Sequence, residues 1–142
     1  MTKEETELLV KDLSARIAYG VILKTPSGNG YLSDIHHTIS DWRIGVEVTT
    51  TKRCVYSIDE VKPYLRSFDS IEMEECDRIE EMVFPMETWD GEMPAVVKVN
   101  DAPKLLDCYD RIMVDYRDLI EKGLAIEAPE GMYDLMIKNN QL

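Results

Sequence analysis

Leu9, Leu13 and Ile17 recur every four residues, with Val10 beside them, which is the spacing of one apolar stripe on a helix over residues 3–18. Thr2 followed by Glu5 has the form of a capping box, and Gly20 stands where a left-handed residue would close the helix. The period then shortens. Val21 to Lys24 is a β-type run, Pro26-Ser27-Gly28-Asn29-Gly30 is turn chemistry with a hairpin expected at Gly28-Asn29-Gly30, and Tyr31 to His36 returns as a partner strand. From Arg43 to Thr50 the positions alternate, with Ile44, Val46 and Val48 on one side and Arg43, Gly45, Glu47 and Thr49 on the other. Thr51-Lys52-Arg53 turns the chain into Cys54 to Ile58, where Cys54, Tyr56 and Ile58 share a face. Connections this short imply an antiparallel meander, because parallel neighbours need a long crossover.

Pro63 predicts a broken helical turn over residues 59–66. An acidic helix is expected at about 72–83, with Cys76, Ile79 and Val83 on its buried face and a hydrophobic staple between Ile71 and Cys76. Residues 84–94 read as a loop, and Ala95 to Val99 as a fifth strand. Asp101 is placed to cap a C-terminal helix over residues 101–122, with Pro103 in its first turn. Leu105, Tyr109, Ile112 and Tyr116 would form its core stripe, with a restart at Asp115 and an end at Lys122-Gly123. The expected fold is one α+β domain over residues 1–142, with an antiparallel sheet of four to five strands drawn from about 20–58 and 95–99.

Charge adds the most to this outline. Ten acidic residues and one basic residue, Arg78, lie between Asp69 and Glu92, so that a stretch of 24 residues carries −9 of the chain's net −12. An excess of this size opposes sequence-independent binding to DNA or RNA and docking on anionic membranes. On the expected helix, Glu74, Asp77 and Glu81 lie opposite the buried face with Glu75 and Glu80 on its flanks, and Arg78 can pair with Glu74. These five carboxylates, at a helical rise of about 1.5 Å per residue, approach the roughly one charge per 1.7 Å of duplex DNA. The face is therefore a candidate mimic of nucleic acid that meets a basic protein, or else a solvated face that maintains solubility. No apolar run approaches a membrane span, and the charged start does not resemble a signal peptide. Cys54, Cys76 and Cys108, odd in number and without a C-x-x-C, read as buried thiols of a reducing cytosol.

Three stretches, Val61-Lys62-Pro63-Tyr64-Leu65-Arg66, Asp115-Tyr116-Arg117-Asp118-Leu119-Ile120-Glu121-Lys122-Gly123-Leu124-Ala125 and Ala128-Pro129-Glu130-Gly131-Met132-Tyr133, stand with the opening Lys11-Asp12-Leu13-Ser14-Ala15-Arg16. Together they resemble a family of short uncharacterised proteins from gut-bacterial phages and mobile elements. In that family a helix start rich in Ser/Thr and Glu follows the K-P-Y-L-R run; here Glu72 stands where Ser or Thr usually caps. The resemblance brings no activity, cofactor or catalytic residue. It implies an accessory protein in the host bacterial cytosol that binds or inhibits a host factor.

Enzyme signatures are absent from the sequence: there is no G-x-S-x-G, P-loop or G-x-G-x-x-G, and no cysteine has a neighbouring His to activate it. His36-His37, with Asp34 near, offers a metal-dependent hydrolase as one alternative, although adjacent strand residues point to opposite faces. A second alternative is a structural component of an oligomer. Small-anion binding has a candidate set in Tyr31, Trp42, Arg43, Tyr56 and Arg66, because an aromatic face stacks a base while a guanidinium holds phosphate. The plainer reading of those residues is aromatics in the core and cations in water. The partner set is Glu74, Asp77, Glu80 and Glu81. The sequence thus favours a non-enzymatic binding protein without metal or other cofactor, able to form homo-oligomers, whose partner is a host protein or a small nucleotide.

Overall fold

Thr2 starts the first helix as its side chain dictates. Its Oγ1 accepts the Glu5 amide at 3.1 Å while the Glu5 carboxylate accepts the Thr2 amide at 3.2 Å, so two donors left over at the helix start are satisfied reciprocally. Helix α1 spans Lys3–Arg16, tightens into one 3-10 turn at Ile17–Tyr19, and stops at Gly20, whose φ of 80° is left-handed. The computed structural model describes residues 1–49, 51–83 and 102–134, with backbone only for 80–83 and 102.

Six strands follow: β1 (Ile22–Thr25), β2 (Gly28–His37), β3 (Trp42–Thr49), β4 (Lys52–Ser57), β5 (Lys62–Leu65) and β6 (Ile126–Glu127). Their spatial order is β4-β3-β2-β1-β5-β6. The meander from β1 to β4 is antiparallel throughout, as the short connections require. Thr25 pairs with Gly28, so the β1–β2 hairpin turns at Pro26-Ser27 and not at the expected Gly28-Asn29-Gly30. Gly30 instead lies within β2, where a Cβ would stand 2.7 Å from the Glu47 carbonyl oxygen and 2.6 Å from Val46 Cγ1. Two further corrections concern β5 and β6. Residues 58–60 alone form a 3-10 turn, and the segment containing Pro63 is β5, antiparallel to β1. Pro63 is tolerated there because it lies ahead of Tyr64 and Leu65, the two residues that β6 pairs. That β5–β6 pairing is parallel, so the sheet has six strands and is mixed.

Helix α2 spans Met73–Val83 and α3 spans Ala102–Arg111. The expected helix over 101–122 is thus cut short. The Val114 amide donates to the Tyr109 carbonyl at 2.9 Å and the Met113 amide to the Asp110 carbonyl at 3.3 Å, around a left-handed Met113 with φ 62°. This is a Schellman closure with Met at the position usually given to Gly. Beyond it the chain turns to the sheet, where the Arg66 amide donates to the Met113 carbonyl at 2.7 Å and the Asp115 amide to the Arg66 carbonyl at 2.8 Å. Asp115 does not restart a helix. Its carboxylate accepts the amides of Leu119 and Ile120, each at 2.9 Å, and holds a turn that closes at Gly123, φ 75°. The strand expected at 95–99, the loop at 84–94 and the Asp101 cap lie outside the described residues.

The core sits between α1 and one face of the sheet, with Leu9 and Leu13 against Leu23, Leu32, Ile44, Val46 and Leu65. A smaller cluster, Ile79 with Cys108, Ile112 and Val114, ties α2 to α3. Only Cys108 of the three thiols is buried; Cys54 is half-buried and Cys76 exposed, which removes the expected Ile71–Cys76 staple. Among the described residues no helix is long and apolar enough to cross a membrane.

Beside the apolar stripe of α1 lies a buried ionic knot. Arg16 Nε donates to Asp12 Oδ2 at 3.0 Å, and its other nitrogens donate to the carbonyls of Val114 at 2.7 Å and Tyr109 at 3.3 Å. Arg117 Nη1 donates to the second Asp12 oxygen at 2.6 Å and lies 3.5 Å from Asp110, while the Tyr116 hydroxyl donates to Asp110 at 3.0 Å. Burial raises the Asp110 carboxyl above its ordinary range despite Arg16 and Arg117, and burial with the nearby Asp110 pushes the Tyr116 phenol up to about 12. Replacing Arg16 with Met should cost about 3–5 kcal/mol in urea unfolding, because Asp12 loses a partner where no water reaches it. Gly30→Ala should cost about 1–3 kcal/mol by the same measurement, since the obstacle is backbone. A cost under half a kilocalorie for either would contradict the packing described.

Candidate functional site

Arg66 directly follows β5 and lies where the sheet, the 3-10 turn at Phe68–Ser70 and helix α2 meet. Its guanidinium grips the Glu75 carboxylate with both terminal nitrogens, Nη2 to Oε1 at 2.6 Å and Nη1 to Oε2 at 2.9 Å. The same two nitrogens donate to the carbonyls of Ser70 at 3.1 Å and Ile112 at 3.3 Å. Glu75 also faces the amide of Glu72 at 3.5 Å, half of a capping box on α2. Burial would raise the Glu75 carboxyl, but the hydrogen bonds and charge of Arg66 outweigh it and hold the group below its ordinary value. Glu75 is therefore not on the solvated flank expected of it; it joins the acidic helix to the sheet.

Opposite α2 runs the segment after β6, fixed by the Ala128 amide donating to the Leu65 carbonyl at 2.7 Å. A left-handed Gly131 turns it, and the buried Tyr133 hydroxyl donates to the Tyr64 carbonyl at 2.7 Å and accepts the Ile22 amide at 2.9 Å. Between these walls lies a cleft of about 630 Å³. Its charged lining is Asp69, Glu72, Glu75, Glu127, Glu130 and Asp134 against Arg66 and Arg78, a formal −4. With Arg66 and Glu75 occupied by each other, the cleft presents mainly hydrogen-bond acceptors. Such a lining suits guanidinium and ammonium groups and repels phosphate.

The acidic face behaves as the helical spacing implies at two of its four positions. Glu74 and Asp77 are exposed, with Arg78 Nη2 3.6 Å from Glu74, while the side chains of Glu80, Glu81 and Val83 lie outside those described. Ile79 is buried as expected.

The aromatic and basic set does not converge. Register puts Tyr31 and Arg43 on the outer side of the sheet and Trp42 and Tyr56 on the core side. Trp42 packs edge-on against His37 with ring centres 4.7 Å apart, Tyr56 is buried, and Arg66 is held by Glu75. His36 and His37 also diverge: His36 Nδ1 lies 3.1 Å from Asp34 on the outer side. Arg53 Nε donates to the same carboxylate at 2.8 Å and holds it below its ordinary range. Gly45 floors this pair, because a Cβ there would collide with the Asp34 carboxylate. Among the described residues no three His, Cys, Asp or Glu side chains are grouped to hold a metal ion.

Sequence spacing missed the Arg66–Glu75 pair and the Asp12–Arg16–Arg117 knot. Asp12 and Arg16 at i,i+4 were the one local signal, since both fall beside the Leu9–Leu13 stripe. No protein-family model, curated protein or solved structure matches this chain.

Because the fold lowers the Glu75 carboxyl, the ion pair stabilises the protein at neutral pH, and that contribution drains away as acid is added below the ordinary value of 4.5. Glu75→Gln should cost about 1.5–3 kcal/mol at neutral pH and flatten the loss of stability between neutrality and pH 3. Chemical denaturation across that range checks both; an unchanged slope would show that the pair carries none of the acid sensitivity.

Proposed function

We propose that this protein is a non-catalytic accessory protein of a phage or mobile element that captures a basic host protein through its acidic cleft and the outer face of α2. The observation that carries the reading is the charge imbalance of the cleft, six carboxylates against two guanidinium groups, each of which already has a carboxylate partner, Arg66 with Glu75 and Arg78 with Glu74. Exposed Glu74 and Asp77 extend the same charge along α2. The phage or mobile-element origin rests on the motif resemblance alone. Two other readings gain no support from the geometry. A nucleotide would need Tyr31, Trp42, Arg43, Tyr56 and Arg66 together, and they face different ways. A metal hydrolase using His36 or His37 with Asp34 would need further ligands, and among the described residues none is grouped with the His36–Asp34 pair, whose carboxylate Arg53 already holds.

Each rim charge contributes modestly in water, where fields fade over about 8 Å at physiological salt. Several acting on one cationic patch steer association and fix orientation. Pull-down from host lysate with wild type and with Glu72→Lys, Glu74→Lys, Asp77→Lys combined tests the proposal. The triple variant should stay folded, with melting lowered only modestly by the cations placed at the start of α2, since all three side chains are exposed. Its affinity for the captured protein should fall roughly tenfold or more, and wild-type binding should weaken steeply with added salt. Binding untouched by both would overturn the reading.

A further inference from the structure

Strand β4 closes the sheet at the end remote from the cleft. Hydrogen bonds join it to β3 on one side, and among the described residues no strand lies against its other side. An open edge of this kind is a template for another strand unless it is blunted. Here it contains no proline and spans six residues, Lys-Arg-Cys-Val-Tyr-Ser. Cys54 and Tyr56 face the core, and Arg53, Val55 and Ser57 face outward. Val55, in the middle, is 47% exposed.

Charge along this edge is polar in sequence. Lys52 and Arg53 begin the strand, and Asp59 and Glu60 follow it in the 3-10 turn at Ile58–Glu60. A parallel neighbour with the same sequence would set like charges together. An antiparallel one sets the basic end of each copy beside the acidic end of the other, which is the favourable cross-strand arrangement. Residues directly opposite in an antiparallel pair share a face, so a two-fold axis perpendicular to the sheet keeps both cores on one side. Centred on Val55, that axis covers the exposed valine with its own copy and sets Arg53 across from Ser57.

We propose that β4 pairs antiparallel with β4 of a second copy of this chain, giving a two-fold dimer with one continuous twelve-stranded sheet, six strands from each copy. The paired segments are short, so the contact falls near or below the about 1,200 Å² of small specific interfaces, and the dimer assembles in the micromolar range. It does not depend on the acidic cleft, which lies toward the opposite edge.

Sedimentation equilibrium across a concentration series reads the mass directly. Wild type should shift from monomer to dimer. Val55→Lys, which sets two ammonium groups on the axis, should raise the dissociation constant roughly tenfold or more while leaving the thermal melt unchanged. Lys52→Glu should weaken the dimer, and Asp59→Lys added to Lys52→Glu should restore it, a rescue that a misfolded variant could not give. A wild type that stays monomeric at high micromolar concentration would overturn the proposal, as would a dimer indifferent to Val55→Lys or to the charge swap.

Discussion

The fully buried guanidinium of Arg16 is the constraint around which the rest of the molecule is arranged. A charge cut off from water must be surrounded by acceptors, and here they come from three places in the chain: Asp12 on the same helix, and the carbonyls of Tyr109 and Val114 at the end of α3. Those carbonyls are placed by the left-handed turn at Met113, whose own carbonyl accepts the Arg66 amide. Arg66 in turn reaches the carbonyl of Ile112. Two arginines thus serve the negative end of α3 from opposite sides, which is where the helix dipole favours cations. Buried ion pairs add little net stability compared with apolar packing, but an unpaired member is costly. The knot ties α1 to the end of α3 and, through Met113 and Arg66, to the chain that follows β5.

That arrangement determines what charge is left for a partner. Arg66 is the basic group nearest the junction of sheet and acidic helix, and it is consumed by its two bonds to Glu75 and by the carbonyls of Ser70 and Ile112. The pair anchors α2 while removing the cation that would have suited a phosphate. What remains is Asp69, Glu72, Glu127, Glu130 and Asp134 against Arg78, an excess of negative charge on two facing walls. The acidic stretch is thereby divided. Glu75 is structural, and Glu74 and Asp77 stay in solvent.

The fold was legible wherever its cause was local. Thr2 with Glu5, Gly20, and the alternation of Ile44 and Val46 each act within a few residues, and each takes the expected form. Elements fixed from far away were hidden. Pro63 argues against a strand until β1 is seen beside it, and Met113 gives no sign of a left-handed turn because the sheet, not a glycine, imposes it. At the site the difficulty was facing. A bulge between Leu32 and Asp34 shifts β2 by one position, so simple alternation cannot say which aromatic residues share a side with Arg43. Arg66 and Glu75 are nine residues apart across a corner from strand to helix, a separation with no periodic signature.

On the proposed function, this division leaves the cleft and the outer face of α2 as the surface that meets cations. Backbone amide shifts during titration with a lysine-rich peptide test it residue by residue. Saturable shifts confined to residues 69–78 and 127–134, lost at high salt, are the expected result. Shifts centred instead on the outer sheet face around Tyr31 and Arg43, or spread evenly over every exposed carboxylate, would contradict it.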